Sequence, residues 1–208
     1  MKSLAGLALA MLLTVNCAAS NAQDLAPDAL VKKTTDEIVA QIKKDKTLVS
    51  NSRKLLELVD TVVLPHFNFT RMTMLAVGRP WQNATAAQRE QLVQQFRTLL
   101  VRTYSTALEQ YSSQTIEVRP VSLKPGDTEA SVRMLILQPG GQPIPMDYRM
   151  EKAPSGWKVF DVSVEGVSIV TTYRSTFNAE ITKGGIDGLI KTLSEQNRRL
   201  EARAAERK

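Results

Sequence analysis

Apolar positions recur every three to four residues through the first half of the chain and every second residue through much of the second half. Pro27 opens the first helical pattern, which carries Leu30, Thr34, Ile38 and Ile42 on one face through Lys43. Proline suits that first turn because its missing N–H has no intrahelical partner there. Asp45-Lys46 reads as a break. A second pattern begins near Ser52, carries Leu55, Leu56, Val59, Val62 and Val63, and stops before Pro65, which disfavours helical geometry in the residue preceding it. A short segment then runs from His66-Phe67-Asn68-Phe69 through Met72, Leu75 and Val77 to Gly78-Arg79-Pro80-Trp81, with Met72 and Met74 as flexible fillers. Thr85 with Gln88 has capping-box spacing. It opens the longest helix, whose apolar face holds Leu92, Phe96, Leu99, Leu100, Tyr104, Leu108 and Tyr111.

After Ser112-Ser113 the period becomes two. Strands are predicted over Thr115 to Val121, Glu129 to Leu137, the run holding Ile144, Met146, Tyr148 and Met150, and the run from Trp157. Turns at Pro125-Gly126-Asp127, Pro139-Gly140-Gly141 and Pro154-Ser155-Gly156 separate them. In the last strand Phe160, Val162 and Val164 alternate with Asp161, Ser163 and Glu165, so the latter set is expected to face away from the core. Gly166 breaks the alternation. A helix comes next, with Val170, Tyr173 and Phe177 on one face and Ser168 as its cap. Lys183-Gly184-Gly185 ends that helix, and a last one runs from Ile186 through Leu189, Ile190 and Leu193 into a basic tail. The expectation is an α+β fold: a four-stranded antiparallel sheet covered by helices on one face. The helical half is placed at about 27–112, the sheet at about 115–165 and the closing helices at about 167–207, all in one domain of residues 23–208.

The N-terminus changes the picture. Lys2, the apolar run Leu4 to Val15 and the small residues Ser20-Asn21-Ala22 read as a secretory signal peptide cleaved near Ala22. That run is too short to span a bilayer, and Asn16 before Cys17 is a poor match to a lipidation site. Cleavage removes the chain's one cysteine, which leaves a mature protein without disulfide, thiolate metal ligand or cysteine nucleophile. It also lowers the net charge of +6 by the single Lys2. The remaining basic residues are dispersed and aromatics make up only 5% of the chain, which argues against nucleic acid as a partner. Arg198, Arg199, Arg203, Arg207 and Lys208 read as a solvated helix end that suits the helix dipole.

Catalytic chemistry is sparse. The single histidine, His66, reads as a capping or half-buried residue, and a histidine or cysteine metal cluster cannot be assembled. There is no phosphate-binding glycine loop, since Gly140-Gly141 lies between strands. Asp147 and Asp161 are expected to face solvent or an arginine, and Glu165, beside Gly166, to ion-pair locally or order the strand-to-helix turn. An enzyme reading would need Asp161 or Asp147 turned into an apolar pocket, where burial tunes a carboxylate. Apolar lining is plentiful by contrast: Leu75, Leu99, Tyr104, Leu108, Ile144, Met146, Tyr148, Val164, Val167, Tyr173 and Phe177 lie on elements that pack together. They make either a filled core or the wall of a cavity for an apolar ligand.

Gly78-Arg79-Pro80-Trp81, Ala84-Thr85 with Gln88-Arg89, Thr103-Tyr104, and above all Trp157, Asp161 and Glu165-Gly166-Val167-Ser168 resemble the MlaC family of periplasmic phospholipid-binding proteins, also known as toluene-tolerance proteins. Ile186-Asp187-Gly188-Leu189 followed by Leu193 fits the same pattern. The resemblance covers essentially the whole mature chain, and its specificity lies in the joint spacing. It implies a cone-shaped fold like nuclear transport factor two with added N- and C-terminal helices, no cofactor, and a diacyl phospholipid whose acyl chains fill an apolar cavity. It implies two partners, an outer-membrane lipoprotein–porin complex (MlaA) and an inner-membrane ABC transporter presenting a mammalian-cell-entry domain subunit (MlaD). On this resemblance the apolar residues above would line the cavity, and Arg149 and Arg174 would meet the headgroup phosphate near its mouth.

Such a role is physically coherent. Exposing two acyl chains of about sixteen carbons to water costs roughly 25 kcal/mol, at about 0.8 kcal/mol per methylene. A carrier must therefore offer a site as dry as the bilayer, and it needs no nucleotide site of its own. Two other classes stay open: a small cone-fold enzyme using Asp161 or Asp147, and a docking module whose apolar face meets a partner with no ligand.

Overall fold

The computed structural model describes residues 25–109 and 114–206, and for 106–109 the backbone alone. The signal sequence expected at the N-terminus with cleavage near Ala22, the Cys17 position, the side chain of Leu108, Tyr111 and the last two basic residues lie outside what it describes.

Helix α1 spans Pro27–Lys44 with its proline in the first turn. Helix α2, Ser52–Leu58, begins where the Asn51 side chain accepts the Lys54 N–H. It widens into a π turn at Val59–Val63 and tightens at Leu64–His66, so the helical path continues through Pro65 instead of stopping before it. Helix α3, Phe69–Val77, is capped by Asn68, and α4 spans Ala86–Glu109. The predicted capping box is present: Gln88 N–H donates to Thr85 Oγ at 3.2 Å and Thr85 N–H to Gln88 Oε1 at 3.0 Å.

The sheet is an antiparallel meander in the order β1 (Thr115–Val118), β2 (Glu129–Leu137), β3 (Ile144–Ala153), β4 (Gly156–Val164) and β5 (Val167–Ser168). It has five strands, one more than the alternation predicts. Glu165 (φ 51°) and Gly166 (φ 82°) both take left-handed backbone, the geometry of a two-residue hairpin turn, so the chain forms a two-residue strand before turning into α5. Helix α5, Ile169–Glu206, is bent at Gly185, whose φ of 68° interrupts it where the glycine pair predicts a stop.

Two apolar clusters hold these elements together. One is helical: Met72 and Val77 of α3, Trp81, Leu92, Phe96 and Leu99 of α4, and Val170, Phe177, Leu189 and Leu193 of α5. The other joins Leu30 and Val31 of α1 to one sheet face through Val132, Met134, Met150, Trp157, Val159 and Val162. Phe67 and Ile169 pack against both. Helices thus lie on both sides of the sheet rather than on one. The cause is local: the β3–β4 register shifts between Arg149 and Met150, where Arg149 faces Asp161 and Met150 faces Val159. Phe160 is the extra residue of this bulge, and its fully buried ring enters the helical cluster while Val159 and Val162 stay in the other.

Candidate functional site

Cross-strand registry arranges the apolar sheet face in rows. Ala130, Met150 and Val159 form one row, and Val132, Tyr148 and Val162 the next. Val118, Met134, Met146, Val164 and Val167 form a row through all five strands, and Ile116, Ile136 and Ile144 the last. Burial falls along the series. Met150 and Val132 are fully buried and Met134 is 4% exposed, whereas Met146, Val164, Ile116, Ile136 and Ile144 are half-buried and Val167 is 63% exposed. The apolar face, which α1 partly covers, is thus closed at the Met150 row and more accessible toward the β2–β3 hairpin.

Few polar groups enter this face. The Tyr148 hydroxyl and the Thr35 hydroxyl of α1 each donate to Met134 Sδ at 3.9 Å. Burial pushes the Tyr148 phenol from 10.0 up to about 12, because little water is left to solvate a phenolate.

The predicted lining residues divide between the clusters. Ile144, Met146, Tyr148, Val164 and Val167 share the sheet face. Leu75, Leu99, Tyr173 and Phe177 belong to the helical cluster, where Leu99 and Phe177 are fully packed. There Phe96 meets Tyr173 and Phe177 edge-on, each at 5.0 Å between ring centres. Tyr104 is 42% exposed beside Tyr173, and burial raises both phenols above their usual value. The expected convergence of all these residues on one space is thus not what the fold brings about. Val132, Met134, Ile136, Ile116 and Val118 also line this face and are missing from the residues expected there, although alternation in β1 and β2 carries that signal.

The two arginines assigned to a headgroup lie elsewhere. Arg149 projects from the opposite sheet face, with its guanidinium 4.8 Å from the Phe160 ring centre, and Arg174 lies exposed against Gly78. That opposite face is charged. Arg71 of α3 crosses Phe160 at 3.6 Å and pairs with Glu129 and Glu151, and Asn68 Nδ2 donates to Glu151 at 2.6 Å. Asp147 accepts two hydrogen bonds from Arg133, at 2.8 and 3.3 Å, as its outward phase predicts.

Asp161 departs from expectation. It is 3% exposed, not solvent-facing, because the Phe160 bulge carries it under the start of α5. Its Oδ2 accepts the Ser168 hydroxyl at 2.7 Å and its Oδ1 the Val170 N–H at 3.2 Å, while Ser168 Oγ accepts the Thr171 N–H at 3.0 Å. Both carboxylate oxygens are therefore engaged in starting a helix. Ser168 is the cap predicted for it. Among the described residues no group of three or more histidine, cysteine or carboxylate side chains is placed to hold a metal ion, and no helix is long and apolar enough to cross a membrane. Two surface grooves, one lined by Arg79, Pro80, Ile181 and Ile186 and one by Leu56, Arg97 and Val101, involve none of the predicted lining residues.

The chain is similar to proteins already characterised. The intermembrane phospholipid transport system binding protein MlaC of Haemophilus influenzae is 26% identical over 176 residues, 83% of this chain and 82% of that one. The toluene tolerance protein ttg2D of Pseudomonas putida is 29% identical over 163 residues, 77% of this chain and 75% of that one. A phospholipid-binding protein from Ralstonia solanacearum, solved in complex with a phospholipid, superposes with a TM-score of 0.78 at 38% identity, covering 85% of this chain and 99% of that one. The MlaC protein family model matches residues 32–195, most of the fold described above, and the chain belongs to the MlaC family.

Proposed function

We propose that this chain is a periplasmic phospholipid carrier that shields acyl chains on the apolar sheet face under α1. The observation that carries this reading is the phospholipid held by the Ralstonia solanacearum relative, 38% identical over 85% of this chain. The face itself supports it: Met134, Ile136, Ile144, Met146 and Val164 offer a continuous apolar surface that deepens row by row. Acyl chains laid along those rows exchange bilayer for protein, which removes most of the roughly 25 kcal/mol that water would impose. The helical cluster, with Leu99 and Phe177 fully packed, serves as the frame behind the site.

The finer role follows the family. The mature chain, with its signal peptide removed near Ala22, accepts lipid from one membrane and delivers it to the other, exchanging with an MlaA-type outer-membrane complex and an MlaD-bearing transporter. It thereby maintains outer-membrane lipid asymmetry. The chain's own chemistry is binding rather than turnover: the carboxylate an enzyme would use, Asp161, is committed to Ser168 and the α5 N-terminus. Native mass spectrometry of protein purified from its host without detergent, followed by lipid extraction, tests the reading. Near-stoichiometric diacyl phospholipid is expected. Protein that carries no lipid and takes none from liposomes would overturn it in favour of a ligand-free docking module.

A further inference from the structure

Two hydroxyls from distant parts of the sequence, Thr35 on α1 and Tyr148 on β3, converge on one atom, the Met134 sulfur, each at 3.9 Å. They do so at the step where the apolar face opens: Val132 behind them is fully buried and Met134 is 4% exposed, while Met146 and Ile136 beyond are half-buried. A thioether is a weak acceptor. A hydroxyl removed from water needs a good one, or the site is better served by phenylalanine and valine of the same shape. Thr35 and Tyr148 are each half-buried as whole residues. Two donors aimed into one apolar neck describe a site for a ligand that brings an acceptor without a charge.

We propose that the Thr35 and Tyr148 hydroxyls bind the ester carbonyl of an acyl chain and so make the site selective for ester-linked lipids. The proposal rests on the phospholipid reading above and deepens it. In a diacyl glycerolipid the phosphate and headgroup are strongly hydrated, whereas the ester carbonyls sit where the hydrocarbon begins. They are the polar atoms that must travel into the neck with the chains. A carbonyl accepts and does not donate, which matches two hydroxyl donors. Ether-linked lipids have the same chains and headgroup and lack that oxygen. Burial keeps the Tyr148 phenol protonated far above neutral pH, so it remains a donor under all physiological conditions.

The test offers the purified protein liposomes holding equal parts of dipalmitoyl phosphatidylcholine and its dihexadecyl ether counterpart, and counts the bound species by native mass spectrometry. The wild type is expected to prefer the diester by about five- to tenfold, the factor one neutral hydrogen bond confers. Tyr148→Phe with Thr35→Val should lose that preference while still taking up the diether. Tyr148→Phe alone, which removes one oxygen and keeps the ring, serves if the double variant does not fold. Equal uptake of both lipids by the wild type, or a preference that survives in the variants, overturns the role of the hydroxyls and leaves the carrier reading standing. Uptake of neither lipid by the wild type overturns both.

Discussion

Replacing Asp161 by alanine should cost far more than replacing it by asparagine. The carboxylate is 3% exposed and accepts from the Ser168 hydroxyl and the Val170 N–H. Hydrogen bonds to a charged acceptor contribute roughly 1.5–3 kcal/mol each, and alanine removes both while stranding a buried N–H, so about 3–5 kcal/mol is expected. Asparagine keeps an acceptor for Val170. Its amide can donate to Ser168 Oγ, which has a lone pair left beyond the one taken by Thr171 N–H. The loss should then be about 1–2 kcal/mol. Ser168→Ala removes one of the two carboxylate bonds and a helix cap worth about 1 kcal/mol, for a total of about 2–4 kcal/mol. Since Asp161 and Ser168 share a bond, the double alanine variant should fall short of additivity by about 1–2 kcal/mol. Urea unfolding followed by far-ultraviolet circular dichroism reads each value, with the slope expected to stay constant. Domains of this size hold about 5–15 kcal/mol in all, so Asp161→Ala should unfold at markedly lower urea. A loss under about 1 kcal/mol for Asp161→Ala, or equal losses for alanine and asparagine, would refute the assignment of Asp161 to the strand–helix junction. It would also make the carboxylate a candidate acid or base again.

Two further predictions concern pH. The Tyr148 phenol lies at about 12 in the fold against 10.0 ordinarily, so the stability it contributes is present below pH 10 and is lost as pH rises from there toward 12. The loss amounts to about 3 kcal/mol. Comparing tyrosinate absorbance between wild type and Tyr148→Phe should show one phenol that ionises late, and its absence would contradict the burial described. Burial lowers His66 below its ordinary 6.5, and the positive charges of Lys158 and Lys33 lower it further, against a smaller opposing effect of Glu37. Its contribution is thus present above about 6.5 and lost as pH falls through the lower folded value; in His66→Gln, melting temperature should depend less on pH between 7 and 5 than in the wild type.

Much of the fold is legible because local chemistry fixes it. Thr85 with Gln88 and Ser168 before α5 each mark a boundary whose partner atoms lie within a few residues, and Gly185 marks the bend by its own left-handed backbone. The phase of β4 is not legible in the same way. Val159, Phe160, Asp161 and Val162 are all buried, since the strand has apolar material on both sides, and a bulge leaves no trace in an alternation that already looks regular. The two residues of β5 are too few for a period. The site is legible in part: phase puts Ile144, Met146 and Tyr148 on one face, but nothing local says whether Phe177 packs against that face or against Phe96. The anchoring of α3 is out of reach, because Arg71 lies 58 and 80 positions from the glutamates it pairs with.

The bend at Gly185 also bears on how the chain folds. It lets the two arms of α5 lie against α4, and the second arm is fixed by pairs far apart in the sequence: Gln88 with Asp187, 99 positions away, and Gln95 with Asn197, 102 positions away. Helix α4 packs part of its apolar face on α2 and α3, which precede it, and the rest on α5. Contacts of such long range delay folding. The helical cluster is therefore closed late, when the second arm of α5 docks on α4.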